Sequence, residues 1–168
     1  MADFLPAFEA MIVAEGGYRL HTIDGDRGGM TYAGISRVHN PNWPGWEQLD
    51  HGSTPSPDLV RAWYKGAYWA PICGDDISSQ AVAQNIFDFY VNAGAPAKKL
   101  AQLVVGVTPD GAFGPKTVVA INSCDPDKFV LIYTLAKIAR YRDIVTRDRS
   151  QSKFLLGWVN RALKGVNV

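Results

Sequence analysis

The first amphipathic segment of the chain predicts a helix that begins after Asp3 and ends at Gly16. Asp3 is suited to cap its N-terminus, and two consecutive glycines supply the left-handed conformation that ends many helices. Glu15 falls on the apolar face of this helix, in its last turn. The apolar residues of that face are Phe4, Phe8, Met11 and Ile12. The predicted helix therefore carries a carboxylate where its core-facing stripe ends.

Helical spacing of apolar residues returns repeatedly after residue 57. A segment opened by Pro57 is predicted to run to about Tyr68, and Ser78 or Ser79 is suited to cap the next helix. Further helices are predicted at residues 97–105, 116–122, about 125–145 and 154–162. The fold class is therefore mainly α, a helical body with one small β element near the N-terminus.

Two segments lack this spacing, residues 18–36 and residues 39–57. The first has short Thr, Tyr and Ile stretches around Asp-Gly and Gly-Gly turns, which predicts a small β-hairpin. The second holds four of the ten prolines. It is predicted to be an irregular loop that exposes Trp43 and Trp46.

Charge and composition narrow the function classes. The 168 residues are 47% hydrophobic, which suits one domain or two closely packed lobes. The formal net charge of +1 lacks the basic excess of a nucleic-acid binder, so no nucleic-acid partner is expected. Cys73 and Cys124 belong to no CxxC pair, which favours buried free thiols over a zinc site. We expect no metal and no cofactor.

Glu15 is unusually placed because a carboxylate in the last turn of a helix faces the negative end of the helix dipole. Its place on the apolar face also disfavours the charged form. A glutamate that keeps its proton near neutral pH can donate it to the leaving oxygen of a glycosidic bond. Such cleavage needs a second polar group, and the predicted hairpin supplies Asp24, Asp26 and Thr31. The same residues also suit a polar helix end followed by ordinary turn formers.

Short motifs follow one another along nearly the whole chain. EGGY at residues 15–18 precedes D-x-G-G-x-T-x-x-G-I at 26–35, and YWAP and FDFYVNAG follow at 68–71 and 87–94. VGVTPDGAFGPKTVVAIN at 105–122 and FLLGWVNR at 154–161 complete the series. Together and in this order, they resemble glycoside hydrolase family 108, the N-acetylmuramidases of phage endolysins and some bacterial secretion systems. Residues 105–122 resemble the opening of that family's C-terminal peptidoglycan-binding part.

The resemblance implies catalytic roles in the hairpin region. Glu15 takes the position of the family's catalytic glutamate, and Thr31 that of its threonine. The family's aspartate before Gly-Gly falls on Asp26, which we rank first as the second catalytic residue. Asp24 stays open, because its nine-residue separation from Glu15 is similar to the Glu–Asp spacing of phage lysozymes. About two residues are inserted before the Gly-Gly pair, and the expected prolines are absent.

Substrate-binding candidates include aromatic and polar side chains. Tyr32, Tyr64 and Trp46 can stack on sugar faces, because aromatic rings combine apolar area with a polar group. The resemblance adds Asp88 and Asn92, on the polar face of one predicted helix, as hydrogen-bonding residues of a cleft wall. These two residues also suit an ordinary solvated helix face.

The resemblance also implies a lysozyme-like α+β fold and a substrate. Residues 1–75 are expected to form a catalytic muramidase lobe, and residues 76–168 a helical lobe with the peptidoglycan-binding motif, packed as one globular unit. The implied reaction is hydrolysis of the β-1,4 bond between N-acetylmuramic acid and N-acetylglucosamine in bacterial peptidoglycan, by a monomer. We expect DGAFGPKT at 110–117 to be structural, because its glycines suit a turn and Pro115 suits a helix start.

The expected cellular setting follows from targeting signals. The N-terminus lacks a basic region and a signal-type cleavage site, and the apolar runs are too short to span a membrane, so no membrane insertion is expected. We therefore expect synthesis in the bacterial host cytoplasm without a signal peptide, and action on the cell wall in the periplasm after release. Holin-dependent release of a phage lysin is preferred over a secretion-linked muramidase.

Three other functions remain open at this level. A lytic transglycosylase would leave anhydro-muramic ends and needs no second carboxylate. A cell-wall amidase or peptidase would release peptides or new amino groups. A non-catalytic peptidoglycan-binding protein would bind walls without cleaving them.

Overall fold

The computed structural model describes residues 1–22 and 29–166, the side chain of Thr22 excepted. Within these ranges it contains eight α-helices and a three-stranded antiparallel sheet of strand order β1-β2-β3, and 66% of the chain is helical. The predicted mainly α, lysozyme-like class is therefore confirmed. The chain divides into two compact units, Asp3–Ala70 and Pro71–Val168, the latter joined by Met1–Ala2. No helix in the described ranges is long and apolar enough to cross a membrane.

The unit Asp3–Ala70 opens with the predicted helix α1 (Phe4–Ala14). The Asp3 side chain accepts a hydrogen bond from the Leu5 amide at 3.0 Å, which caps the helix as predicted. Phe8 and Met11 of its apolar face are buried. The strands follow as β1 (Leu20–Thr22), β2 (Met30–Tyr32) and β3 (Ile35–Ser36), and the helices as α2 (Gly45–Asp50) and α3 (Pro57–Tyr64). A π-helical turn, Lys65–Trp69, extends α3 and accounts for the predicted helix end near Tyr68.

The segment predicted as an exposed loop is instead folded inward. Trp43 and Trp46 are both buried, so the prediction that they are exposed was wrong. Their rings pack edge to face at 5.0 Å, and Trp43 also stacks on Tyr32 at 5.9 Å. Gly45 makes this possible, since a Cβ there would overlap the Trp43 ring. The buried aromatic rings stabilise the part of the unit that contains the three strands.

The unit Pro71–Val168 is helical and follows the predicted order. Its helices are α4 (Gln80–Ala93), α5 (Ala95–Val104), α6 (Pro115–Asn122), α7 (Pro126–Arg147) and α8 (Ser152–Leu163). Ser79 caps α4, and Pro115 occupies the first turn of α6, as predicted. Cys73 and Cys124 are free and half-buried, so burial is less complete than predicted.

The DGAFGPKT segment is held by one buried glutamine. The Gln102 side-chain amide donates to Asp110 at 2.7 Å, to the Ala112 carbonyl at 3.0 Å and to the Thr117 hydroxyl at 3.3 Å. Its carbonyl oxygen accepts from the Gly111 amide at 2.8 Å. These contacts satisfy the polar groups of a tight turn. They support the structural role predicted for this motif.

Candidate active site

Glu15 lies at the end of α1, where two backbone hydrogen bonds fix the end of the helix. The Gly17 amide donates to the Ile12 carbonyl at 2.9 Å, and the Gly16 amide donates to the Val13 carbonyl at 3.2 Å. This pair of bonds is the Schellman motif, with Gly16 in the left-handed conformation at φ 89°. A Cβ at Gly16 would meet nothing within 4 Å, so backbone conformation alone favours glycine there. The half-buried Glu15 is therefore fixed at the negative end of the helix.

The turn between β2 and β3 lies against the side chain of Glu15. A methyl group added at Gly34 would lie 3.5 Å from both Cβ and Cγ of Glu15, and 2.6 Å from the Tyr64 hydroxyl. Gly34 has φ 78°, and the preceding residue, Ala33, has φ 49°. A left-handed alanine costs about 1–2 kcal/mol. Such a conformation persists only where its surroundings hold it, and the Tyr64 hydroxyl donates to the Ala33 carbonyl at 2.9 Å.

The strand register fixes Thr31 in this hairpin. Thr31 pairs with His21 of β1 and with Ser36 of β3, and its side chain is partly exposed. Asp24 and Asp26, the candidates for the second catalytic residue, lie outside the described residues. The structure thus places Gly34, in the turn that follows the strand of Thr31, beside the Glu15 side chain.

The aromatic residues predicted to stack on sugar are not available for that role in this structure. Trp46, Tyr64 and Tyr32 are only 3%, 2% and 3% exposed, so their ring faces are covered by protein. Each also uses its polar group internally: the Trp46 ring nitrogen donates to the Asn40 carbonyl at 2.7 Å, and the Tyr32 hydroxyl to Pro55 at 3.3 Å. Sugar stacking needs an exposed ring face, so the structure does not support this prediction.

Tyr18 is an aromatic candidate that the sequence reasoning missed. It is 36% exposed and belongs to the EGGY motif, three residues after Glu15. Burial raises the pKa of Tyr18, and the charge of Arg61, which pairs with Asp58 at 2.7 Å and Glu9 at 3.4 Å, opposes this shift. The EGGY motif could have indicated this residue, because Tyr18 directly follows the two glycines that end α1.

Asp88 and Asn92 lie on α4, in the unit Pro71–Val168. Asp88 accepts two hydrogen bonds from Arg161 of α8, at 2.9 and 3.2 Å, so its carboxylate joins two helices. Asn92 is exposed. Asn85 of the same helix is buried, and its Oδ1 accepts a hydrogen bond from Lys137 at 3.0 Å. Within the described ranges, no three His, Cys, Asp or Glu residues are grouped to hold a metal ion.

Comparison with known proteins assigns both parts of the chain. Residues 8–94 match the family model "Glycosyl hydrolase 108", and residues 95–163 match "Predicted Peptidoglycan domain". The boundary between the two matches follows α4, whereas the compact units divide at Ala70, so the hydrolase match extends into the second unit.

The similarity to solved structures extends over almost the whole chain. The structure of Brucella abortus SagA is 27% identical, with a TM-score of 0.74, and the match covers 96% of this chain and 90% of that one. No curated protein matches the chain. The first family match spans more than half of the residues. The chain therefore belongs to the glycosyl hydrolase 108 family and is a glycoside hydrolase that acts on peptidoglycan.

Proposed function

We propose that the protein is an N-acetylmuramidase that hydrolyses the β-1,4 bond between N-acetylmuramic acid and N-acetylglucosamine, with Glu15 as the general acid. In this reaction the Glu15 carboxyl protonates the leaving glycosidic oxygen as the bond breaks. Water completes the hydrolysis and leaves a new reducing end on N-acetylmuramic acid.

The observation that carries this proposal is the fixed placement of Glu15. The Schellman bonds at Gly16 and Gly17 hold the backbone of the helix end, and Gly34 restricts the space beside the Glu15 side chain. A proton donor works best when its position is set before substrate binds, because the geometry is then paid for during folding. A surface glutamate at a frayed helix end would lack this constraint.

The second polar group is proposed to come from the hairpin. Asp26 is the first choice and Asp24 the second, and Thr31 would hold the attacking water or the sugar. Replacing each aspartate by asparagine in turn separates them: the catalytic one should lose most activity, while the other should retain it. If both variants kept full activity, neither aspartate would be the second catalytic residue.

Two separate sugar contacts are proposed, one at the exposed Tyr18 of the unit Asp3–Ala70 and one at the exposed Asn92 of the unit Pro71–Val168. Tyr18 would supply a ring face for a sugar, and Asn92 an amide for hydroxyl or N-acetyl groups. Tyr32, Tyr64 and Trp46 are buried, and their proposed role is to hold neighbouring segments in place by packing inside the protein.

In the cell, we propose that a monomer acts as a phage-type endolysin, with holin-dependent release to the wall. Host cells producing the enzyme alone should then stay intact, and cells that also produce a holin should lyse. Lysis without a pore would instead favour a secretion-linked route.

Mass spectrometry of digested, purified peptidoglycan tests the reaction. Muramidase action predicts fragments that end in reducing N-acetylmuramic acid. Anhydro-muramic ends would show a lytic transglycosylase, and free peptides or new amino groups would show an amidase or peptidase. Binding to walls without any fragment would show a non-catalytic protein.

A further inference from the structure

We propose that Tyr64 is a positioning residue for Glu15, acting through the turn at Ala33 and Gly34. This inference rests on the proposed role of Glu15 as the general acid. Tyr64 was a sugar-stacking candidate on sequence grounds, but its burial assigns it to the interior.

The Tyr64 hydroxyl is bonded to the turn itself. It donates to the Ala33 carbonyl at 2.9 Å inside the protein, where a hydrogen bond is not weakened by competing water. Ala33 is fully buried with φ 49°, a conformation that alanine adopts only when neighbouring groups hold it. The hydroxyl is one such group.

The same hydroxyl and Glu15 lie on either side of Gly34. The point where a Gly34 Cβ would stand is 2.6 Å from the Tyr64 oxygen and 3.5 Å from Cβ and Cγ of Glu15. A side chain at position 34 would overlap the Tyr64 oxygen and would contact the Glu15 side chain. A shift of the turn would therefore change the wall beside the Glu15 side chain.

The Tyr64 ring is also tied to the helix that carries Glu15. It packs against Phe8 of α1, with ring centroids 5.7 Å apart, and against Tyr68 at 5.6 Å. Phe8 is fully buried. One side chain thus contacts both the helix that holds Glu15 and the turn that borders it, which is how a supporting residue fixes a reacting group.

The substitution Tyr64→Phe removes only the hydroxyl and tests the proposal. We expect kcat to fall about tenfold, because small misplacements of a catalytic group are costly, while KM stays within about twofold. The pH–rate profile should also change on the limb that reports the proton donor. A wild-type kcat and pH profile would overturn the proposal.

Tyr133→Phe is the matched control, since its buried hydroxyl also donates to an alanine carbonyl, Ala97, at 2.9 Å. Tyr133 lies in the other unit. Loss of its hydroxyl should lower the melting temperature about as much as Tyr64→Phe does, but should leave kcat unchanged. If both variants lost kcat equally, Tyr64 would have no special relation to Glu15, and the proposal would fail.

A double-mutant test works even if Tyr64→Phe folds poorly. Gly34→Ala alone should reduce kcat, because its methyl group meets the Tyr64 oxygen at 2.6 Å. Adding Tyr64→Phe removes that oxygen, so the double variant should be more active than the product of the two single effects predicts. Multiplicative effects would overturn the inference.

Glu15→Gln, measured in parallel, separates the positioning role of Tyr64 from the general-acid role of Glu15. Full activity of Glu15→Gln would show that Glu15 is not the general acid. Loss of activity in Glu15→Gln together with an unaffected Tyr64→Phe would contradict only the positioning role.

Discussion

Glu15 and Gly34, distant in sequence, lie so close that a single methyl group on Gly34 would contact the Glu15 side chain at 3.5 Å. The contact joins the end of α1 to the turn between β2 and β3. The side chain of Glu15 and the turn between β2 and β3 are thereby set side by side.

Gly16→Ala should destabilise the protein by about 1–2 kcal/mol, because alanine resists the left-handed conformation at φ 89° that ends α1. No steric clash contributes, since nothing lies within 4 Å of the added methyl group. Urea unfolding measures the change. Gly157→Ala is the matched control: it also meets nothing within 4 Å but lies inside α8, so it should stabilise by about 0.5–1 kcal/mol. The same sign for both variants would contradict the Schellman argument.

Tyr18→Ala should raise KM for soluble peptidoglycan fragments about fivefold, because an exposed ring face that stacks on sugar contributes about 1 kcal/mol. kcat should change less than KM. Tyr18→Phe keeps the ring and should behave like the wild type. If Tyr18→Ala had a wild-type KM, this ring would not belong to the substrate-binding surface.

Lys137 should make stability depend on pH. The side chain is 3% exposed, and burial lowers its pKa from 10.5 to about 8, with Asp88 opposing this shift and Arg161 adding to it. Below pH 8 the amine is charged in both the folded and unfolded states, so its burial cost is constant. Between pH 8 and pH 10.5 only the unfolded state keeps the proton, so the folded state gains stability as pH rises.

Comparison with Lys137→Met isolates this effect, because methionine does not titrate. The wild type should gain up to about 3 kcal/mol relative to the variant between pH 7 and pH 10, at about 1.4 kcal/mol for each pH unit. The variant lacks the hydrogen bond to Asn85 at every pH, so this loss adds a constant offset between the two curves of unfolding free energy and does not contribute to the difference in their slopes. Parallel curves of unfolding free energy against pH would show that Lys137 is not held as described.

Local signals in the sequence were sufficient for most of the helices and for the placement of Glu15. Asp3 and Ser79 cap helices through their own side chains, and Gly16 ends α1 through its backbone, so each acts within a few residues. Periodicity over such short distances is visible without knowledge of tertiary contacts. The hairpin was predictable for the same reason.

Burial of the aromatic and polar residues was not predictable from the same signals. Trp43 and Trp46 lie among prolines and glycines without periodic spacing, and only their packing with Tyr32 shows that they are interior. Asn85 is buried beside its partner, Lys137, which comes from a helix far along the chain. Contacts of this kind depend on the tertiary fold, which no local pattern reports.

The rate of release of reducing N-acetylmuramic acid ends from purified peptidoglycan, by wild type and Glu15→Gln, tests the central claim most directly. Glu47→Gln is the control, since Glu47 is an exposed carboxylate on α2 of the same unit. We predict that Glu15→Gln falls by at least about a hundredfold, the usual contribution of a general acid, with an unchanged melting temperature, while Glu47→Gln matches the wild type. A folded Glu15→Gln variant that releases these ends at the wild-type rate would contradict the account.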